Sequence, residues 1–179
     1  MGNKCCVDLK SLPYGCDDNP GYASLPHFSP WLFVGNRFAP CFGDFDVVIS
    51  TVMPVDEGGD RCTELSTYQF MFQDCQGRER ASQVERARKR IVAAAAVVAA
   101  STDDKKSTLV HCEWGQNRSC TVCCAYAVLY LGWEANAAIA YVRSQNYRER
   151  AYLGQSPMCN RAFNKILQEL EKSRNHLVL

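Results

Sequence analysis

Four short runs rich in β-branched and aromatic residues alternate with long helical segments, and this alternation constrains the fold more than any other feature of the chain. WLFVG (31–35), FDVVISTV (45–52), TYQFMF (67–72) and STLVH (107–111) are bounded by Gly, Pro, Asp or polar turns and read as strands. A helix is expected over 81–100, with Ser82 as N-cap and Glu85 three residues on. Further helices are expected over 118–131, 134–147 and 157–174, the last with Phe163, Ile166, Leu167 and Leu170 on one stripe. Strands and helices in this order predict an α/β domain in three layers, α/β/α, around a central, mainly parallel sheet of four to five strands. A right-handed crossover between the strands at 67–72 and 107–111 leaves them parallel. The loops after Phe72 and His111 then open on the same sheet edge, where ligands bind in such architectures.

The chain has 179 residues, which suits one domain. A domain of this size buries ~70% of its unfolded surface, so its core needs neither disulfide nor metal. Its 20 basic and 19 acidic side chains give a net charge of +1, against the dominant basic face of a nucleic-acid-coating protein. The longest apolar run, 91–100, falls well short of the ~20 residues that cross a bilayer. The chain holds eleven cysteines, an odd number, and opens MGNKCCVDLK, without an apolar signal core. They read as reduced thiols in a cytoplasmic setting, most of them small buried hydrophobes. Cys120, Cys123 and Cys124 belong to that class rather than to a metal site, and no cofactor is expected. Residues 1–27, with Pro13, Gly15, Pro20, Gly21 and Pro26, read as a flexible tail, and 28–179 as the folded domain. The basic segment 78–90 reads as a solvated helix face.

One cysteine stands apart. The strand ending at His111 leads through Cys112, Glu113, Trp114, Gly115, Gln116 and Asn117 to Arg118 and Ser119, where a helix begins. A loop entering a helix N-terminus presents unpaired backbone N–H groups and so forms an anion site. A cysteine opening such a loop has its thiolate stabilised by those amides and by a nearby guanidinium. Arg118 can grip a phosphoryl group through two parallel hydrogen bonds, and Gly115 permits the tight curvature.

HCEWGQNRS resembles the phosphate-binding loop of cysteine-based protein phosphatases, His-Cys-x5-Arg followed by Ser or Thr. Size and layout are similar to the dual-specificity branch from about Trp31 to Glu171, through WLFVGN, STLVHC, RSCTVCCAYAVLYL, EANAAIAYVR and NRAFNKIL. The resemblance implies that Cys112 attacks phosphorus while Arg118 and the amides of residues 113–117 hold the equatorial oxygens. It implies that Asp74, 38 positions before Cys112, protonates the leaving oxygen and then activates water. Asp56, Asp60 and Glu79 are less well placed rivals for that role. Ser119 would ease the thiolate out, and His111 would hold the loop. Two departures stand out: Trp114 replaces a usually small residue, and Glu113 sets a negative charge beside the phosphate site, which disfavours a highly charged lipid head group. The expected function is hydrolysis of phosphotyrosine, phosphoserine or phosphothreonine in proteins by a monomer that needs no metal and binds no nucleic acid. A catalytically silent phospho-binding module of the same fold is the alternative.

The start carries a second motif. Gly2 is placed for myristoylation, although Cys6 stands where Ser or Thr is usual, and Cys5 and Cys6 offer sites for a second acyl chain. Two chains are what stable anchoring requires. The cytoplasmic domain would then be tethered to the inner face of a membrane; an unmodified tail is the alternative.

Overall fold

Period-two alternation along the β-branched runs builds a sheet with two unequal faces. The computed structural model describes residues 21–52, 67–74, 80–150 and 158–177. Among them are strands β1 (Tyr22–Ser24), β2 (Leu32–Gly35), β3 (Val47–Ser50), β4 (Tyr68–Gln69) and β5 (Thr108–His111), in the order β1-β2-β5-β3-β4. β5 lies between β2 and β3 and is parallel to both; β4 is parallel to β3, and β1 is antiparallel to β2 at the edge. The expected α/β class and mainly parallel sheet are therefore present. β1 forms within the segment read as irregular chain, and β4 keeps only two of the six residues read as a strand. Gly35, Ser50 and His111 are in register, so β2, β3 and β5 end level with one another.

Leu32, Val34, Val47, Ile49 and Val110 face the main core with the helices. The residues between them, Phe33, Val48 and Leu109, face the other way, as side chains in a strand must. There they pack with Ala39 of a 3-10 turn (Ala39–Cys41), Tyr22 and Phe45. Tyr22, Phe33 and Phe45 meet edge to face at ring separations of 5.1 to 5.9 Å.

The helices are α1 (Ala81–Asp103), α2 (Arg118–Tyr130), α3 (Ala135–Arg150) and α4 (Arg161–Leu177). Every residue of α2 from Ser119 to Val128 is buried, because β5, β2 and the other three helices surround it. A helix without a polar face is stable only in such a place. Small residues of α1 (Ala87, Ala94, Ala95) allow it to approach α2 closely. Arg80, not Ser82, is the N-cap of α1: its backbone N–H donates to Gln83 Oε1 at 3.0 Å, which closes the first turn two residues earlier. The helix runs on to Asp103, because the buried Thr102 hydroxyl finds acceptors in Val98 O at 2.9 Å and the Tyr126 hydroxyl at 3.2 Å. Phe163, Ile166, Leu167 and Leu170 form the buried stripe of α4.

Among the described cysteines, Cys112, Cys120, Cys123, Cys124 and Cys159 are in no disulfide; Cys41 is disulfide-bonded, a departure from the all-reduced reading. No cluster of His, Cys, Asp or Glu suited to a metal occurs among the described residues, and no described helix is long and apolar enough to cross a membrane. Gly2, Cys5, Cys6, Asp56, Asp60 and Glu79 lie outside the described residues.

Candidate active site

The level ends of β2, β3 and β5 form the rim on which the loop 112–118 stands. Cys112, 2% exposed, extends the ladder one step beyond β5 by donating its N–H to Gly35 O at 3.2 Å. Its sulfur accepts the Gly115 N–H at 3.1 Å and the Ser119 hydroxyl at 3.3 Å. Gly115 points its amide inward through a left-handed backbone with φ of 66°, a conformation that strains any residue with a Cβ. The loop thus curls its own donors around the sulfur at the positive end of α2. Ser119 has one hydroxyl proton and two acceptors, Cys112 Sγ and Gly35 O at 3.4 Å, so it can serve the sulfur or release it. His111 is fully buried beneath the loop, and its carbonyl accepts both the N–H and the hydroxyl of Thr51 at 3.0 Å. Those two bonds tie the ends of β3 and β5 together.

Arg118 is anchored from two strand ends. Its Nη1 donates to Thr51 O at 3.2 Å, just past β3, and to Phe72 O at 3.4 Å, past β4. The guanidinium Nε is buried and makes no hydrogen bond with the described residues. An unmet buried donor on a permanent cation is costly, and an anion seated against the loop removes that cost.

Asp74 follows β4, and its two carboxyl oxygens are tied to the loop and to the start of α4. Oδ1 accepts Asn160 Nδ2 at 2.7 Å, and Oδ2 accepts Asn117 Nδ2 at 3.3 Å. Asn160 also caps α4, its Oδ1 accepting the backbone N–H groups of Ala162 at 3.0 Å and Phe163 at 3.3 Å. Sequence reasoning overlooked Asn160. The signal available was an Asn directly before a helical stripe, which marks a cap but not the carboxylate it reaches. Residues 158–160 strap the loop from outside: the Met158 N–H donates to Gln116 O at 3.0 Å, and Arg143 Nη2 holds Met158 O at 2.8 Å.

The remaining loop residues face outward to different degrees. Glu113 does not leave a bare charge at the site: Arg37 Nη1 pairs with its Oε1 at 2.6 Å, and the Arg37 N–H donates to its carbonyl at 3.3 Å. The pairing with Arg37 offsets the negative charge expected to disfavour a highly charged lipid head group. Trp114 is 49% exposed at the rim, and Gln116 is buried. The structure joins Ser119 to Cys112 and Asn117 to Asp74, while Arg118 and His111 both bond to Thr51. A sulfur that accepts two donors, a cation with an unmet donor and a tethered carboxyl are the parts needed for phosphoryl transfer to a thiolate.

The family model for the dual specificity phosphatase catalytic domain matches residues 43–173. Among solved structures, the fold is similar to a mouse protein described as a dual specificity phosphatase, complexed with zinc tungstate. That likeness has a TM-score of 0.62 and 22% identity over 94% of this chain and 97% of the other. Human DUSP28 aligns with a TM-score of 0.59 and 20% identity, over 88% of this chain and 97% of its own. A human tyrosine phosphatase-like serine/threonine/tyrosine-interacting protein aligns at 0.56 and 18%, over 82% and 94%. At these identities the likeness speaks for the fold. No curated protein matches the sequence.

Proposed function

The chain belongs to the dual specificity phosphatase family, and from that premise we propose that it is an active enzyme hydrolysing phosphotyrosine, phosphoserine or phosphothreonine in proteins. The observation that carries the proposal is the sulfur of Cys112 held between the Gly115 N–H and the Ser119 hydroxyl, on the loop that ends at Arg118. Cys112 attacks phosphorus as the bond to the leaving oxygen breaks, and Asp74 gives that oxygen a proton. Arg118 Nε and the loop amides take up charge on the equatorial oxygens. Water, losing a proton to Asp74, then displaces the thiolate, and Ser119 turns its hydroxyl from Gly35 O to the departing sulfur.

The test is hydrolysis of p-nitrophenyl phosphate by wild type, Cys112→Ser and Asp74→Asn, with vanadate as inhibitor. Vanadate-sensitive turnover, lost in Cys112→Ser and reduced by about 10²-fold or more in Asp74→Asn, is the expected result. A folded wild type that binds phosphopeptide without turning it over would be the silent module instead. We further propose acylation at Gly2, Cys5 and Cys6, supported by the Met-Gly start and the adjacent cysteines. Intact-mass measurement of protein from cells, with and without hydroxylamine, tests it; a chain carrying no acyl mass rejects it.

A further inference from the structure

Resting on the phosphatase reading above, we infer that Asn117 is a positioning residue for the proton donor, fixing Asp74 so that Oδ2 is the oxygen that delivers the proton. The two oxygens of Asp74 are held unequally. Asn160 Nδ2 lies 2.7 Å from Oδ1, and Asn117 Nδ2 lies 3.3 Å from Oδ2. The Asn160 amide cannot be turned over, because its own oxygen is committed to the N–H groups of Ala162 and Phe163. The shorter, locked N–H contact marks Oδ1 as the stronger, carbonyl-type acceptor, so a proton on this carboxyl belongs on Oδ2, which has the longer contact.

Asn117 is oriented as well. Its Oδ1 accepts the Asn160 N–H at 3.4 Å and the Cys159 thiol at 3.7 Å, which turns its Nδ2 toward Asp74. A protonated Oδ2 still accepts that N–H through its remaining lone pair, and the direction of its O–H is thereby restricted. Asn117 immediately precedes Arg118, so one turn of chain aims the guanidinium at the phosphoryl group and the amide at the acid. In the first step the S–P bond forms and the P–O bond breaks. The electron pair stays on the leaving oxygen, which takes the proton from Oδ2. Asp74 is then a carboxylate held by both amides until it takes a proton from the attacking water.

The experiment measures kcat/KM of full-length wild type, Asn117→Ala, Asn117→Ser and Asp74→Asn on phenyl phosphate and dinitrophenyl phosphate. Vanadate affinity and Tm are measured on each protein. The phenolate of phenyl phosphate needs a proton to leave; the dinitrophenolate needs far less help. The loss caused by Asn117→Ala should be about tenfold larger on phenyl phosphate, the same direction of bias as in Asp74→Asn, with vanadate affinity retained. Adding Asn117→Ala to Asp74→Asn should cost little more on phenyl phosphate, since both act through one proton transfer. An equal loss on both substrates, or full additivity with Asp74→Asn, overturns the inference, and Asn117→Ser must agree with Asn117→Ala. A wild type inactive on both substrates rejects the phosphatase reading itself, whereas an active wild type with a flat Asn117 response rejects only the positioning role.

Discussion

The loop 112–118 and the helix α2 that continues from it both hold buried cysteines, yet they surround them differently. In the loop, the Cys112 sulfur accepts an amide N–H and a hydroxyl. Two turns into the helix, Cys123 and Cys124 are fully buried among apolar neighbours. Burial there pushes both thiols well above the ordinary range, and the nearby Cys120 adds to the effect. The two regions thus differ in the donors that the backbone turns toward a sulfur and not in depth, since Cys112 is nearly as buried as the other two.

The comparison breaks most completely at Arg118. Lysine there lacks both the planar fork and the reach of Nη1 to Thr51 O and Phe72 O. Arg118→Lys should lower kcat/KM about 10²–10³-fold, measured on p-nitrophenyl phosphate. Next comes the floor of the loop. A Cβ on Gly35 would lie 2.5 Å from Ala39 Cβ and 2.9 Å from Leu109 Cδ1. Gly35→Ala should therefore destabilise the domain by about 1–3 kcal/mol in urea unfolding. It should also lower turnover, because Gly35 O accepts from both Cys112 and Ser119.

The helix side of the comparison is sharpened by Cys124→Ser, which sets a hydroxyl in an apolar site. About 1–3 kcal/mol of stability should be lost, with kcat/KM unchanged. In the folded wild type near neutral pH, iodoacetamide should leave Cys123 and Cys124 unmodified, and peptide mapping would detect any reaction there. The smallest effect lies far from the site, at the start of β3. Ser107 donates its N–H at 2.8 Å and its hydroxyl at 3.0 Å to Asp46 Oδ2, holding that carboxyl below its ordinary range. A depressed carboxyl contributes stability that is full above its unfolded value and is lost as pH falls through the folded one. Asp46→Asn should thus be slightly less stable than wild type near neutral pH, with the gap closing in acid, as followed by urea unfolding across pH.

Much of the fold and the heart of the site were legible in the sequence. The loop motif, the α/β alternation and the α4 stripe are local patterns, and local patterns survive without knowledge of the partner. β1 was not legible, because three residues are too few to display a period, and its pairing with β2 is what makes it a strand. Ser82 carried a plausible cap spacing, but Gln83 reaching back to Arg80 satisfied the helix start sooner. The contacts that complete the site span long stretches of chain: Arg37 to Glu113 over 76 positions and Asn160 to Asp74 over 86. Asn160 lies inside the segment read as helix from 157, and its bond to Asp74 depends on where α4 packs, which no single segment encodes.

In the proposed mechanism Cys112 carries the phosphoryl group between the two steps. Rapid acid quench of wild type with p-nitrophenyl phosphate, followed by peptide mass mapping, looks for that intermediate. A phosphoryl adduct on Cys112, absent from Cys112→Ser, is expected. Turnover at full rate in Cys112→Ser, or an adduct confined to another residue, would contradict it.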